Sequence, residues 1–308
     1  MSATPLGERY VDLGVKAIDQ DDLEKAIRYL NRALSLDPDS YLAYYNRGVA
    51  YDMKDKLEEA LADYDRALAL QPNHLASQHN RAVLLRELGR PKEAIEAFEA
   101  VLRYDPDNGD VLYNRGIARA DLGEWEAALR DYDRSIAADP GKLDARIAKG
   151  NALLELGRIE EALAVAKEAI SRDERSAEAR VLRGMAEFDS GRSSEAVEDF
   201  TRALELTPDD HGALLHRGIV LLQLKRTEEA VRDLRDALKN HPDCDEAFYH
   251  LAIAYVQLGD RDAALDALQK AIEIHPPRRT DAQKAQEFDP LRSEPGFKAV
   301  VAGKRRRG

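Results

Sequence analysis

Displaced against itself by 34 residues, the chain returns the same landmarks eight times, and this period constrains the fold more than any other feature. A proline recurs at Pro38, Pro72, Pro106, Pro140, Pro208, Pro242 and Pro276, with Glu174 in the one gap. The alanine twelve residues before it is present in every copy: Ala26, Ala60, Ala94, Ala128, Ala162, Ala196, Ala230 and Ala264. A gapless period over so many copies specifies a solenoid, in which one supersecondary element stacks on copies of itself and buries a continuous core. The repeats occupy 7–40, 41–74, 75–108, 109–142, 143–176, 177–210, 211–244 and 245–278, after a lead-in over 1–6.

Each repeat carries two helical patterns. In the second copy, Tyr44, Gly48 and Tyr51 share one face of a first helix, and Leu57, Ala60, Leu61, Tyr64 and Leu68 share one face of a second. Gly89, Gly123, Gly157, Gly191 and Gly259 fall where the first helix must turn into the second, as C-terminal cap glycines would. Pro91 is expected at the first position of a second helix, where its missing N–H is tolerated, and the recurrent proline is expected to stop that helix. Thr4 and Pro5 have the same relation at the start of the chain, as N-cap and first helical residue. Position eight of the repeat is Gly14, Gly48, Ala82, Gly116, Gly150, Gly184, Gly218 and Ala252. With the invariant alanine, these small residues are expected to let the two helix backbones approach.

Composition narrows the class of function. The net charge of −12 argues against a nucleic-acid partner. Cys244 is the only cysteine, so no disulfide can form within the chain and a reducing compartment is expected. The start, MSATPLGERY, lacks an apolar signal core, and no apolar run is long enough to span a membrane, so a cytoplasmic protein is expected.

The period, the small residue at position eight, the alanine at twenty, the small residues near twenty-seven (Ala33, Ala67, Ser135, Ala203) and the late proline resemble tetratricopeptide repeats. The resemblance covers Gly7 to about Arg278. It implies an all-α fold, a right-handed superhelical solenoid of eight helix-turn-helix repeats whose first helices line a concave groove. It also implies a protein that binds partners and seldom does chemistry. The fifth and sixth copies depart most, with Glu174 for proline, Ala166 for the large residue of the second helix, and Arg146 and Arg180 in an aromatic column. Beyond the repeats, 279–303 reads as a C-terminal cap, with DAQKAQEF as a truncated first helix and Phe297, Val300 and Val301 as a short second piece. The basic tail over 304–308, with Lys304 to Arg307, reads as a solvated end.

Position seven, usually apolar in that family, is Arg47, Arg81, Arg115, Lys149, Arg183 and Arg217 in succession. Across the hairpin, position twenty-three is Asp63, Asp131, Asp199 and Asp233 in four of the arginine copies. Arginine and aspartate arriving together point to ion pairs within each repeat. Arg81 faces Ala97 and is expected to be freer.

No catalytic constellation, metal-ligand spacing or glycine-rich phosphate loop is present, so neither enzymatic activity nor a cofactor is expected. By the resemblance, the groove takes its side chains from the first helices. Position six supplies Asn46, Asn80 and Asn114, then His216 and His250; a row of carboxamides that donate and accept can hold a peptide backbone. This row is similar to the asparagine ladder in the repeats of O-linked N-acetylglucosamine transferase. Tyr45, His79, Tyr113 and Tyr249 at position five offer flat amphipathic surface. Position thirteen carries Glu87, Asp121, Glu155 and Asp189, close to helix C-termini that disfavour negative charge. The expected partner is therefore a protein or peptide segment, extended and basic. Pairing of the acids with Arg90 or Arg158 is the competing explanation. Positions two, five and nine do not reproduce the carboxylate clamp that holds chaperone tails. The alternative function is structural assembly through the edges or outer surface, with no groove ligand.

Overall fold

The computed structural model describes residues 5–303, leaving Thr4 and the Lys304–Arg307 tail outside the described residues. Those residues form helices joined by short turns, with no strand among them. The first helices of the eight repeats are α1 (Pro5–Asp19), α3 (Tyr41–Asp52), α5 (Leu75–Glu87), α7 (Gly109–Ala120), α9 (Leu143–Glu155), α11 (Ala177–Asp189), α13 (His211–Gln223) and α15 (Asp245–Leu258). The second helices are α2 (Leu23–Leu36), α4 (Leu57–Leu70), α6 (Pro91–Leu102), α8 (Trp125–Ala138), α10 (Ile159–Arg172), α12 (Ser193–Leu206), α14 (Thr227–Asn240) and α16 (Arg261–Ile274). Packing divides the chain into an N-terminal half ending at Ala152 and a C-terminal half from Leu153.

Short-range chemistry sets the helix ends. The side chains of Ser40, His74, Asn108, Ser176, Asp210 and Cys244 each accept a bond from the backbone N–H three residues on, capping the first helix that follows. Between first and second helices the chain turns through a left-handed residue. Gly89, Gly123, Gly157, Gly191 and Gly259 have φ from 69° to 83°. Asp21, Asp55 and Lys225 occupy the same register without glycine, at φ 58°, 57° and 60°. The recurrent proline marks the end of the second helix without setting it. Helix α10 stops at Arg172, two residues before Glu174, just as α4 stops at Leu70, two before Pro72. In both, a residue outside the helical region (Asp173 at φ −138°, Gln71 at φ −134°) breaks the helix.

Glycine at position eight does something different from the expected backbone contact. A Cβ built on Gly48 would stand 2.7 Å from the Tyr64 ring, and on Gly116, 2.5 Å from the Tyr132 ring. On Gly184 it would meet Phe200 at 2.9 Å, and on Gly14 and Gly218 it would meet Leu30 and Leu234. The glycine makes room for a large side chain of the second helix; of these, Tyr64 and Phe200 are wholly buried. Crowding such a site costs about 1–3 kcal/mol.

Some successive first helices touch: α1 with α3 and α5 with α7 in the N-terminal half, α11 with α13 and α13 with α15 in the C-terminal half. After α16 come α17 (Arg278–Lys284), a 3-10 turn (Gln286–Leu291) and α18 (Pro295–Val301). The helix expected over DAQKAQEF therefore begins earlier and stops at Lys284. Pro290 explains the 3-10 turn, since proline has no N–H to donate and disfavours α-helix in the residue before it. Phe288, Leu291, Phe297 and Val300 are buried with the core of the last repeats.

Candidate functional site

The position-seven cations are committed to structure. Arg47, Arg115 and Arg217 each form two parallel bonds to Asp63, Asp131 and Asp233 at 2.6–2.9 Å, and Arg183 pairs with Asp199 in the same way. A second column lies sixteen residues back, on the preceding second helix. There Arg47 meets Asn31, Arg115 approaches Glu99 at 3.9 Å, Lys149 meets Asp133 at 2.6 Å and Arg217 meets Thr201 at 3.1 Å. Arg81 is therefore not freer than the rest: with Ala97 across from it, it bonds Asp65 of the preceding repeat instead. Sequence pairing within one repeat could not show this, because the partner is a stacking neighbour.

In the N-terminal half the expected groove residues are unequal. Asn46 donates its amide to Leu42 O of its own helix at 2.7 Å, and Asn80 points at the Tyr64 hydroxyl at 3.4 Å. Asn114 has no such bond among the described residues. Tyr45 packs edge-on against His74, 4.9 Å between centroids, and His79 edge-on against Phe98. Burial holds the His79 ring below the ordinary histidine pKa, with Asp110 opposing and Lys142 adding to the effect. Tyr113 already carries a cation: Lys142 Nζ lies 4.7 Å from its ring centre and pairs with Asp110. Glu87 and Asp121 are exposed, and Asp121 has Arg86 at 3.7 Å.

In the C-terminal half, Glu155 and Asp189 are likewise exposed. Partial desolvation raises the Asp189 pKa, and His216 acts against the rise. His216 stacks on Phe200 with ring planes 20° apart, and burial lowers its pKa. Burial, then the charge of Arg278, pushes His250 down to about 4. Tyr249 is withdrawn from any open face: Phe288 of the 3-10 turn lies 5.5 Å away and Arg278 stacks 5.1 Å above its ring. Of the arginines near the acids, Arg86 pairs with Asp121, whereas Arg90 and Arg158 are engaged elsewhere. Arg90 forks onto Glu93, and Arg158 onto Glu161, through pairs of 2.7 Å bonds within the start of α6 and α10.

Sequence reasoning passed over one site. Gln223 and Gln257 continue the position-thirteen column after Asp189, and they border a cavity of about 430 Å³ walled by Phe188, Ile219, Leu222 and Ile253. The signal was the change from carboxylate to carboxamide down that column.

No group of three or more potential metal ligands is found among the described residues. Nor is any described helix long and apolar enough to cross a membrane.

The tetratricopeptide repeat model matches residues 11–74, 79–142, 147–211, 184–234 and 215–279. The chain belongs to the tetratricopeptide repeat family. Among solved structures, it is similar to a tetratricopeptide repeat protein from Parabacteroides merdae, at 22% identity and TM-score 0.71 over 82% of this chain and 99% of that one. Yeast Tom70 aligns at 18% identity and TM-score 0.64 over 98% of this chain and 68% of its own. MamA from Desulfovibrio magneticus aligns at 18% identity and TM-score 0.54, over 56% of this chain and 98% of its own. At these identities the likeness is one of fold. No curated protein matches the chain. Tetratricopeptide repeats are protein-interaction scaffolds and are generally non-catalytic.

Proposed function

We propose that this tetratricopeptide protein is a non-catalytic scaffold that holds an extended, basic segment of a protein partner along its first helices. The observation that carries the reading is the exposed acid at the end of four first helices, Glu87 and Asp121 in one half, Glu155 and Asp189 in the other. Arg90 and Arg158 are turned onto Glu93 and Glu161, so among the described residues only Asp121 of the four acids is approached by an arginine, Arg86 at 3.7 Å. Asp189 is also partly desolvated, so an arriving cation would relieve a charge that water serves poorly. Asn114 supplies an open carboxamide beside the acids; Asn46, Asn80, Tyr113 and Tyr249 contribute less, since their polar or flat faces are already used. With one cysteine and an acidic chain, a partner in the reducing cytoplasm fits the reading, and nucleic acid does not.

Affinity capture at low and at physiological salt, with Glu87, Asp121, Glu155 and Asp189 reversed to lysine, tests the proposal. Exposed charges are screened beyond about 8 Å at physiological salt, so natural partners should weaken with salt and be lost on reversal, at unchanged helical content. Retention of the same partners by the reversed protein would instead favour assembly through the edges or outer surface.

A further inference from the structure

In the C-terminal half, the position-thirteen column changes character where a cavity opens. Glu155 and Asp189 give way to Gln223 and Gln257, which flank an open recess of about 430 Å³, with room for a bulky side chain. Its walls come from three successive first helices: Phe188 from α11, Ile219 and Leu222 from α13, and Ile253 from α15. Lys225 and Glu287, of opposite sign, stand at its margin and largely offset each other. His250 also faces it and is neutral across physiological pH, because burial and Arg278 depress its pKa to about 4. An interior of this kind rejects a charged group and accepts an apolar one.

The two glutamines are held alike. Gln257 Oε1 accepts from the Thr227 hydroxyl at 2.8 Å, and Gln223 Oε1 lies 3.4 Å from the Ser193 hydroxyl, each hydroxyl at the start of the second helix one repeat back. With the oxygens engaged, each carboxamide leaves its NH2 group without a partner among the described residues. Two amide donors one repeat apart suit the carbonyls of an extended chain.

We infer that this recess is an anchor pocket for one large apolar side chain of a protein partner's extended segment, whose backbone carbonyls meet Gln223 and Gln257. Resting on the groove reading above, it adds a spacing to it. Touching first helices lie about 8–10 Å apart, and an extended chain advances about 3.4 Å per residue. A basic residue opposite Asp189 and the apolar anchor are thus separated by roughly three residues.

A random peptide library of about a dozen residues, displayed on phage and selected on the full chain, is the test. Peptides pairing a basic residue with a large aromatic or branched one about three positions away should be enriched. Gln223→Trp, at an exposed position, fills the mouth of the recess; it should abolish the apolar preference and weaken the enriched peptides about tenfold or more, with helical content unchanged. Asp189→Lys should abolish the basic preference and keep the apolar one. Enrichment of basic residues with no apolar position, or an apolar preference that survives Gln223→Trp, overturns the pocket and leaves the groove reading standing. No enrichment of either kind overturns both.

Discussion

Arg115 of α7 closes on Asp131 of α8 through two parallel bonds of 2.9 and 2.6 Å, both side chains nearly buried. Arg119, one turn further along, bonds the same carboxylate at 2.8 Å. One aspartate therefore neutralises two arginines, and the consequences of removing each member differ. Among the described residues, Asp131→Ala leaves Arg115 and Arg119 with only the half-exposed Glu99, at 3.9 and 3.5 Å, and should cost about 3 kcal/mol, whereas Arg115→Leu leaves Asp131 paired with Arg119 and should cost about 1–2 kcal/mol. The double variant should cost less than the sum of the singles by more than about 0.5 kcal/mol in urea unfolding. Arg81→Leu, which loses only a half-exposed pair with Asp65, should cost less than about 1 kcal/mol. Strict additivity between Arg115→Leu and Asp131→Ala would remove the pair from the account of stability.

The left-handed turn residue offers the opposite experiment. Lys225 holds φ 60° where five other repeats have glycine. A side chain in that conformation is strained by about 1 kcal/mol. Lys225→Gly should therefore raise the melting temperature, and Gly123→Ala, at φ 73°, should lower it. An unchanged or lower melting temperature for Lys225→Gly would show that the lysine contributes more through its contacts than the backbone strain removes.

Glu187 gives the chain a specific pH dependence. Burial, then the neighbouring Asp199 carboxylate, pushes its pKa up to about 7, against the pull of Arg183 and Arg192. An acid whose pKa is raised on folding binds its proton more tightly in the folded state, so stability falls as pH rises from the unfolded value, about 4.5, to about 7. Glu187→Gln removes that loss. The variant should melt higher than the parent at pH 8 and little differently at pH 4, with the gap opening between those limits. A gap independent of pH would assign the effect to packing.

Phe288 anchors the C-terminal segment, wholly buried against Tyr249 and Phe297. Phe288→Ala should cost about 3–4 kcal/mol locally and free the face of α15. Removing the chain from Thr280 onward should go further, exposing Tyr249 and Ile272 and producing aggregation more than loss of helix, as read by light scattering beside circular dichroism. A truncated protein that stays monomeric with the parent's melting curve would show that the last repeat needs no cover.

The 34-residue period was enough to determine the helical hairpin, its repetition and the family, because each of these follows from apolar spacing and turn chemistry within one copy. The left-handed turns at Gly89 and Gly123 were legible for the same reason, as was the Arg115–Asp131 pair, whose members covary inside the repeat. What lay between copies was not legible. Asp65 belongs to one repeat and serves Arg81 of the next; Phe288, distant in chain from any repeat of its own, buries Tyr249. The acid column could be read, but its freedom from Arg90 and Arg158 could not, since those arginines choose Glu93 and Glu161 by rotamer and reach. The recess at Gln223 and Gln257 exists only when three first helices stand side by side. Periodicity fixes what a repeat contains, but stacking distance and side-chain direction decide what one repeat presents to another, and those are properties of the packed array.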